Sequence, residues 1–224
     1  NDKKIGIPGE DSKGVLSAVE LLRATGSGKA PDFTGKHVVV IGGGNVSMDA
    51  TRTARRLGAA SVTCMYRRRV EDMTALADEI AEAAEEGCEI MPLQAPVAIE
   101  ADEQGNVCAI VTRPQQIGPV GKDGRPRPVN AGLPDLHAAV RAVVRSAIGQ
   151  GIDSKTFEEA GIPTVRGAIS ALPDSFVKEK SKVFAGGDAV TGPATVIRAV
   201  AAGKVAAANI DAFLGFHHEI SADV

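Results

Sequence analysis

Tryptophan is absent from the 224 residues, and aromatic side chains make up only 3% of them. The stacked-ring platforms that hold bases or sugars therefore have almost nothing to be built from. Cysteine is nearly as scarce. Cys64, Cys88 and Cys108 stand apart without C-x-x-C spacing, which argues against a redox dithiol, an iron–sulfur cluster or a zinc site built by this chain alone, and no metal ligand is assigned. No apolar run approaches the length of a membrane span, and no signal peptide is visible at the N-terminus. A net charge of −3 gives no sign of a nucleic-acid or membrane partner. Cytoplasmic residence is the resulting expectation. The remaining composition, 44% hydrophobic and 24% charged, is that of a globular protein long enough for one large domain or two small ones.

Against that ordinary background, residues 36–49 (KHVVVIGGGNVSMD) stand out. Val38 to Ile41 is an unbroken apolar run suited to a strand covered on both faces, and Gly42, Gly43 and Gly44 let the chain turn sharply after it. Ala50, Ala54 and Leu57 recur at helical spacing, and Gly58 sits where a left-handed stop ends a helix. Strand, glycine turn and helix form the first half of a dinucleotide-binding unit. Gly42 serves the turn, Gly44 the close approach of a pyrophosphate, and Ser47 the tight packing of helix on strand. The amides of Gly44, Asn45 and Val46 would open the helix and face the phosphates, whose charge is favoured there. A glycine-rich turn without a ligand is the alternative that this motif alone leaves open.

A second strand over residues 60–66 (ASVTCMY) arrives at the distance a crossover requires. At its end, where NAD-selective sites carry an acid, stand Arg67, Arg68 and Arg69. Guanidinium groups there suit a 2′-phosphate, so NADP(H) is favoured over NAD(H), with a solvated basic edge as the alternative.

Elsewhere, residues 15–24 predict an amphipathic helix with Val15, Leu16, Val19 and Leu22 on its apolar face, followed by a Gly/Ser/Pro linker. Inside that linker TGSGKA imitates a phosphate loop but follows a helix, and Ala30 stands where Ser or Thr would hold magnesium. Residues 74–86 predict a helix whose acids Asp78, Glu79, Glu82, Glu85 and Glu86 read as solvated surface. A third strand is expected over residues 89–93, then a meander of short strands at 96–101, 107–112 and 125–129, and an apolar strand over 143–148 ending at Gly149, Gln150 and Gly151. Residues 157–161 read as a helix end and 169–172 as a short strand. Residues 183–185 read as a buried strand leading to Gly186, Gly187 and Asp188, with a long Ala-rich helix over about 194–214.

Taken together, IGIPGED with GVLSAVELL, VVVIGGGNVSMDA, VTCMYRRR, AIGQG and FAGGDAVTGPATVIRAVAAGKVAAANI resemble, in order, the NADPH-dependent small (β) subunit of glutamate synthase and its flavoprotein relatives. The resemblance implies an α/β fold: a Rossmann-like NADP-binding domain with a parallel sheet and an antiparallel meander, inserted into an FAD-binding domain. Residues 1–34 would then be a connector with a helix from the junction, residues 35–151 the NADP-binding domain, and residues 152–224 the C-terminal segment of the FAD-binding domain. It also implies that Gly44, Asn45 and Val46 hold the NADP pyrophosphate, that Arg67 and Arg68 hold its 2′-phosphate, and that Gly149 borders the nicotinamide. Asp188 would bind the ribityl chain of FAD next to Gly187, and the helix start at Thr195 and Val196 would face the flavin carbonyl. Hydride transfer from NADPH to FAD needs placement more than an acid or base, so no catalytic side chain is assigned. Onward one-electron steps would run to iron–sulfur centres or a large catalytic partner subunit. Two departures from that family stand out. No FAD glycine motif precedes Ile5, so an incomplete flavin site is expected, and Arg141 and Arg145 interrupt a segment that relatives make more apolar.

A nucleotide-binding regulatory or assembly module without electron transfer is the competing reading, and the FAGGD element speaks against it. An NAD-dependent dehydrogenase is disfavoured by the arginines and by the lack of a convincing acid–base group, His37, His137, His217 and His218 being the only obvious candidates.

Overall fold

The computed structural model describes residues 4–121, 124–145, 152–177, 180, 182–192 and 195–220. The chain divides into two compact units, one spanning Lys4–Ile148 and the other containing Gly149–Val224.

The elements of the first unit are β1 (Val15–Ser17), α1 (Ala18–Gly26), β2 (His37–Ile41), α2 (Asn45–Arg56), β3 (Ser61–Met65), α3 (Ala77–Glu85), β4 (Glu89–Met91), β5 (Gln94–Ala101), β6 (Val107–Val120), β7 (Pro126–Asn130), β8 (Leu136–Ala139) and β9 (Ala142–Arg145). Five of the strands form a wholly parallel sheet in the order β1-β9-β2-β3-β4. Alternation along the strands sends one set of side chains to each face. Val38, Val40 and Val144 pack with Ala18 and Leu21 of α1 and Ala50 and Ala54 of α2. Val39, Ile41 and Val143 pack on the other face with Ile99, Val107 and Ile110, which belong to the antiparallel meander of β5, β6 and β8. With both faces covered, the strands read as apolar runs rather than alternating ones.

Gly58 ends α2 as the sequence requires. Its φ is +89°, its amide donates to Arg55 O at 3.1 Å, and an added Cβ would lie 3.0 Å from Thr34 Oγ1. The helix expected from Val15 begins instead at Ala18. Val15 and Leu16 pair in parallel with Val143 and Val144, so the sheet edge captures them, and Ser17 Oγ caps the helix by accepting from Glu20 N at 3.2 Å. The 143–148 strand is β9, at 142–145, and the residues after it lie outside the described ones.

The IGIPGED segment folds onto the meander. Ile99 N donates to Pro8 O at 2.9 Å, and Gly9, at φ +79°, lies so close to the Ile99 carbonyl that no Cβ fits. The buried Glu10 carboxylate accepts from Ile5 N at 2.6 Å and Gly6 N at 2.8 Å. Arg145 Nε stands 3.7 Å from the same carboxylate, and its buried Nε and Nη1 donate no hydrogen bond to a described residue.

The second unit contains α4 (Lys155–Glu159), β10 (Thr164–Val165), β11 (Ala168–Ile169), α5 (Asp188–Thr191) and α6 (Val196–Phe213). Residues 183–185 do not form the buried strand expected of them. Only isolated pairing links Phe184 to Phe176, and residues 183–185 are all partly exposed. The local order comes from rings: Phe184 packs edge-on against Phe176 at 5.2 Å and against Phe213 at 5.5 Å. Among the described residues of this unit, only Ile169, Ser175 and Val177 are buried.

Candidate functional site

The order of the parallel sheet reverses at β2. The α2 crossover leads from β2 to β3 on one side, while β9 flanks β2 on the other. The carboxyl end of such a strand opens a crevice, and here it carries the glycine turn.

Gly42 leaves β2 at φ +147°, a conformation that favours glycine. Its amide donates to Met65 O at 3.0 Å, and the Cys64 thiol donates to its carbonyl at 3.3 Å. Burial pushes that thiol up to about 12, so it stays protonated near neutral pH and acts as a hydrogen-bond donor rather than a nucleophile. Gly43 lies against the Tyr66 ring, where an added Cβ would come within 2.5 Å of a ring carbon. Gly44 is the N-cap of α2, and its amide reaches Ser47 Oγ at 3.4 Å. Ser47 is fully buried against the sheet, in keeping with its packing role. The amides of Asn45 and Val46 donate to no described residue and stand open at the start of the helix.

This turn is tied to the segment that follows β3. Gly43 O accepts from Thr74 N at 2.8 Å and Ala75 N at 3.0 Å, and Asn45 Oδ1 accepts from Leu76 N at 2.9 Å. These bonds dock residues 74–76 on the turn, and with Leu76 extended as the N-cap, at ψ +144°, α3 starts at Ala77 and not at Thr74. Of the acids expected to form a solvated face, Asp78, Glu82 and Glu85 are exposed and Glu79 and Glu86 half-buried, and several of them form ion pairs with α2. Glu79, Glu82 and Glu86 pair with Arg52 of α2, and Glu86 also pairs with Arg56. Arg56 and then Arg52 hold the Glu86 carboxyl below its ordinary range.

The arginine run, uniform in sequence, is divided three ways in the structure. Arg67 is exposed and makes no hydrogen bond or ion pair with a described residue. Arg68 is buried, and its Nε donates to Pro126 O of β7 at 3.0 Å. Arg69 donates through Nε and Nη2 to Asp72 at 2.9 and 3.1 Å, which raises the guanidinium and lowers the carboxyl from their ordinary values. Tyr66 O–H donates to Asp72 O at 2.9 Å, so the tyrosine that backs the glycine turn also closes the arginine loop. Tyr66 was not singled out in the sequence. As the protein's one tyrosine, placed at a strand end two residues before a buried arginine, it offered a signal. Thr74 offered none.

In the second unit, Gly187 adopts φ +65° and ψ −152°, a region that excludes a side chain, and precedes the exposed Asp188 at the start of α5. Gly186 packs close to α6, where an added Cβ would meet Ala202 O at 3.1 Å. Thr195 caps α6, its Oγ1 accepting from Arg198 N at 3.4 Å, and Val196 begins the helix 79% exposed. Gly149 lies outside the described residues.

Comparison with known proteins matches residues 1–203 to the pyridine nucleotide-disulphide oxidoreductase family. The chain is 38% identical over 213 residues to the NADP(+)-dependent formate dehydrogenase subunit beta of Moorella thermoacetica, covering 94% of this chain and 30% of that protein. It is 35% identical over 219 residues to the glutamate synthase [NADPH] small chain of Halomonas elongata, covering 92% and 46%. It therefore spans less than half the length of these two relatives. Among solved structures, Mycobacterium tuberculosis FprA in complex with NADPH aligns with a TM-score of 0.72 at 20% identity, over 96% of this chain and 61% of that one. T. acidophilum thioredoxin reductase gives 0.71 at 19%, over 96% and 63%. At those identities the likeness is one of fold, and it agrees with the Rossmann-type parallel sheet described above.

Proposed function

The chain belongs to the pyridine nucleotide-disulphide oxidoreductase family, and on that premise we propose that it is the NADPH-oxidising module of a cytoplasmic flavoprotein oxidoreductase of the glutamate synthase small-subunit kind. Hydride would pass from NADPH to FAD, and electrons onward to iron–sulfur centres or a partner subunit. Support for a partner comes from relatives that are subunits of larger enzymes.

One observation carries this reading. The glycine turn and the arginine loop are joined through Gly43, Tyr66, Thr74 and Asn45 into one piece at the carboxyl end of β2. A pyrophosphate would meet the open amides of Asn45 and Val46 beside Gly44, in the positive field of the α2 N-terminus. A 2′-phosphate would meet Arg67, whose guanidinium is committed to nothing else among the described residues. Arg68 serves the same pocket by anchoring its wall. The residues of the second unit fit a flavin's polyol: Gly187 lets the backbone come close, and the exposed Asp188 offers a charged acceptor. Thr195 and Val196 would turn amides toward the flavin carbonyl, and Gly149 would border the nicotinamide. When bound, the two cofactors supply the redox chemistry, and the chain supplies binding, orientation and electrostatics.

Replacing Arg67 with Ala tests the reading. NADPH binding, followed by titration, is expected to weaken roughly 10- to 100-fold, as for the loss of hydrogen bonds to a charged group, with NADH little changed. Equal losses for both nucleotides would reject it.

A further inference from the structure

Arg68 is buried with its Nε engaged by Pro126 O, which leaves Arg67 as the exposed, uncommitted guanidinium of the run facing the proposed phosphate. A phosphate monoester carries about −1.5 to −2 charges near neutral pH. Of the three consecutive arginines, Arg68 is buried against β7 and Arg69 is spent on Asp72, so Arg67 alone is uncommitted among the described residues.

β6 and β7 form a hairpin arm that runs out from the meander, with Gln116 opposite Val129 and Ile117 opposite Pro128. One contact joins this arm to the arginine loop directly, Arg68 Nε donating to Pro126 O at 3.0 Å, and a second path runs through Leu93, whose amide donates to Arg68 O at 3.0 Å and whose carbonyl accepts from Gln115 N of β6 at 2.8 Å. Pro126 stands between Arg125 and Arg127. Arg127 is exposed and pairs with no described residue. Arg67 and Arg127 are thus each one residue removed from the two ends of the same hydrogen bond. The Arg68–Pro126 bond thus brings the backbones at 67 and 127 to either side of one contact, each carrying an exposed arginine.

We propose that Arg127 of the β6–β7 arm is a second specificity-determining cation, which joins Arg67 on the 2′-phosphate of NADPH across the Arg68–Pro126 bond. This rests on the NADPH reading above. Arg68 is then a positioning residue: it holds the arm that delivers Arg127. The division of labour also gives a physical reason for burying one arginine in a run of three, since an anchored wall carries its charge at a fixed distance from the loop opposite.

The test is a two-by-two set: the unaltered chain, Arg67→Ala, Arg127→Ala and the double variant, each titrated with NADPH and with NADH. Arg127 is exposed, so its replacement leaves the fold intact, and Arg127→Lys checks the charge. The expected result is a roughly tenfold loss of NADPH affinity in Arg127→Ala, less than twofold for NADH, partial recovery in Arg127→Lys, and non-additive losses in the double variant. If Arg67→Ala discriminates between the nucleotides while Arg127→Ala does not, Arg127 has no part in the site and only the NADPH reading survives. An equal effect of Arg127→Ala on both nucleotides overturns the proposal as well. If the unaltered chain shows no saturable preference for NADPH, both readings fall.

Discussion

Helices α2 and α6 each follow a glycine-bearing bend and an N-cap, yet one is built into a core and the other is not. In its 12 residues α2 buries Ser47, Met48, Ala50, Thr51 and Ala54, while the 18 residues of α6 bury none. Val196, Ile197 and Val200 of α6 are 79%, 65% and 49% exposed. The local signals that start a helix are thus alike in the two places, and they say nothing about what will cover it. α2 lies on a parallel sheet whose strands present Val38, Val40 and Val144 to it, whereas α6 contributes its last residue, Phe213, to a small ring cluster with Phe176 and Phe184.

The sharpest way to break that comparison is to remove one apolar side chain from each helix. Met48→Ala is expected to cost about 2–5 kcal/mol of the first unit's stability, the range for an emptied core site, whereas Ile197→Ala should stay within about 0.5 kcal/mol. Denaturant unfolding with segment-resolved hydrogen exchange would separate the two, and equal effects would mean that α6 is as well packed as α2. Glycine substitutions should have opposite signs. Gly43→Ala forces a methyl into the Tyr66 ring and is expected to cost about 1–3 kcal/mol. Gly203→Ala in α6 meets nothing within 4 Å and should gain up to about 1 kcal/mol of helix propensity. The smallest effect is electrostatic. The Glu86 carboxyl is lowered in the folded state, so its contribution is present above the ordinary carboxylate range and is lost as pH falls through the lowered value. Glu86→Gln should therefore flatten the acid limb of the first unit's stability profile. Asp211, lowered chiefly by its hydrogen bond from His218, is the second unit's counterpart, and Asp211→Asn should act on that unit alone.

Much of the first unit was legible because apolar periodicity and glycine placement act locally. β2, α2, Gly58 and β3 fall within a residue or two of where the pattern puts them. Failures came where distant backbone intervened. Val15 and Leu16 carry a helical pattern, but an open edge of β9 claims their amides and carbonyls. Thr74 and Ala75 likewise read as helix, but both dock on Gly43 O and the helix begins only at Ala77. The arginines show the same limit at the site. Sequence places three guanidinium groups at one strand end, but only folding reveals that β7 engages the second and Asp72 the third. Arg145, which looked like an interruption of an apolar strand, is matched by Glu10, more than 100 residues earlier in the chain.

The Gly43 carbonyl, with two amides from the far loop resting on it, works as a pivot shared by two jaws. Fastened again by Leu76 N on Asn45 Oδ1 and by the Tyr66 ring against Gly43, neither jaw can part from the other alone. On the proposed reading, a nucleotide that seats its diphosphate in one jaw finds the other already at its working gap, so discrimination between the two pyridine coenzymes is settled by fit on arrival and needs no closing movement.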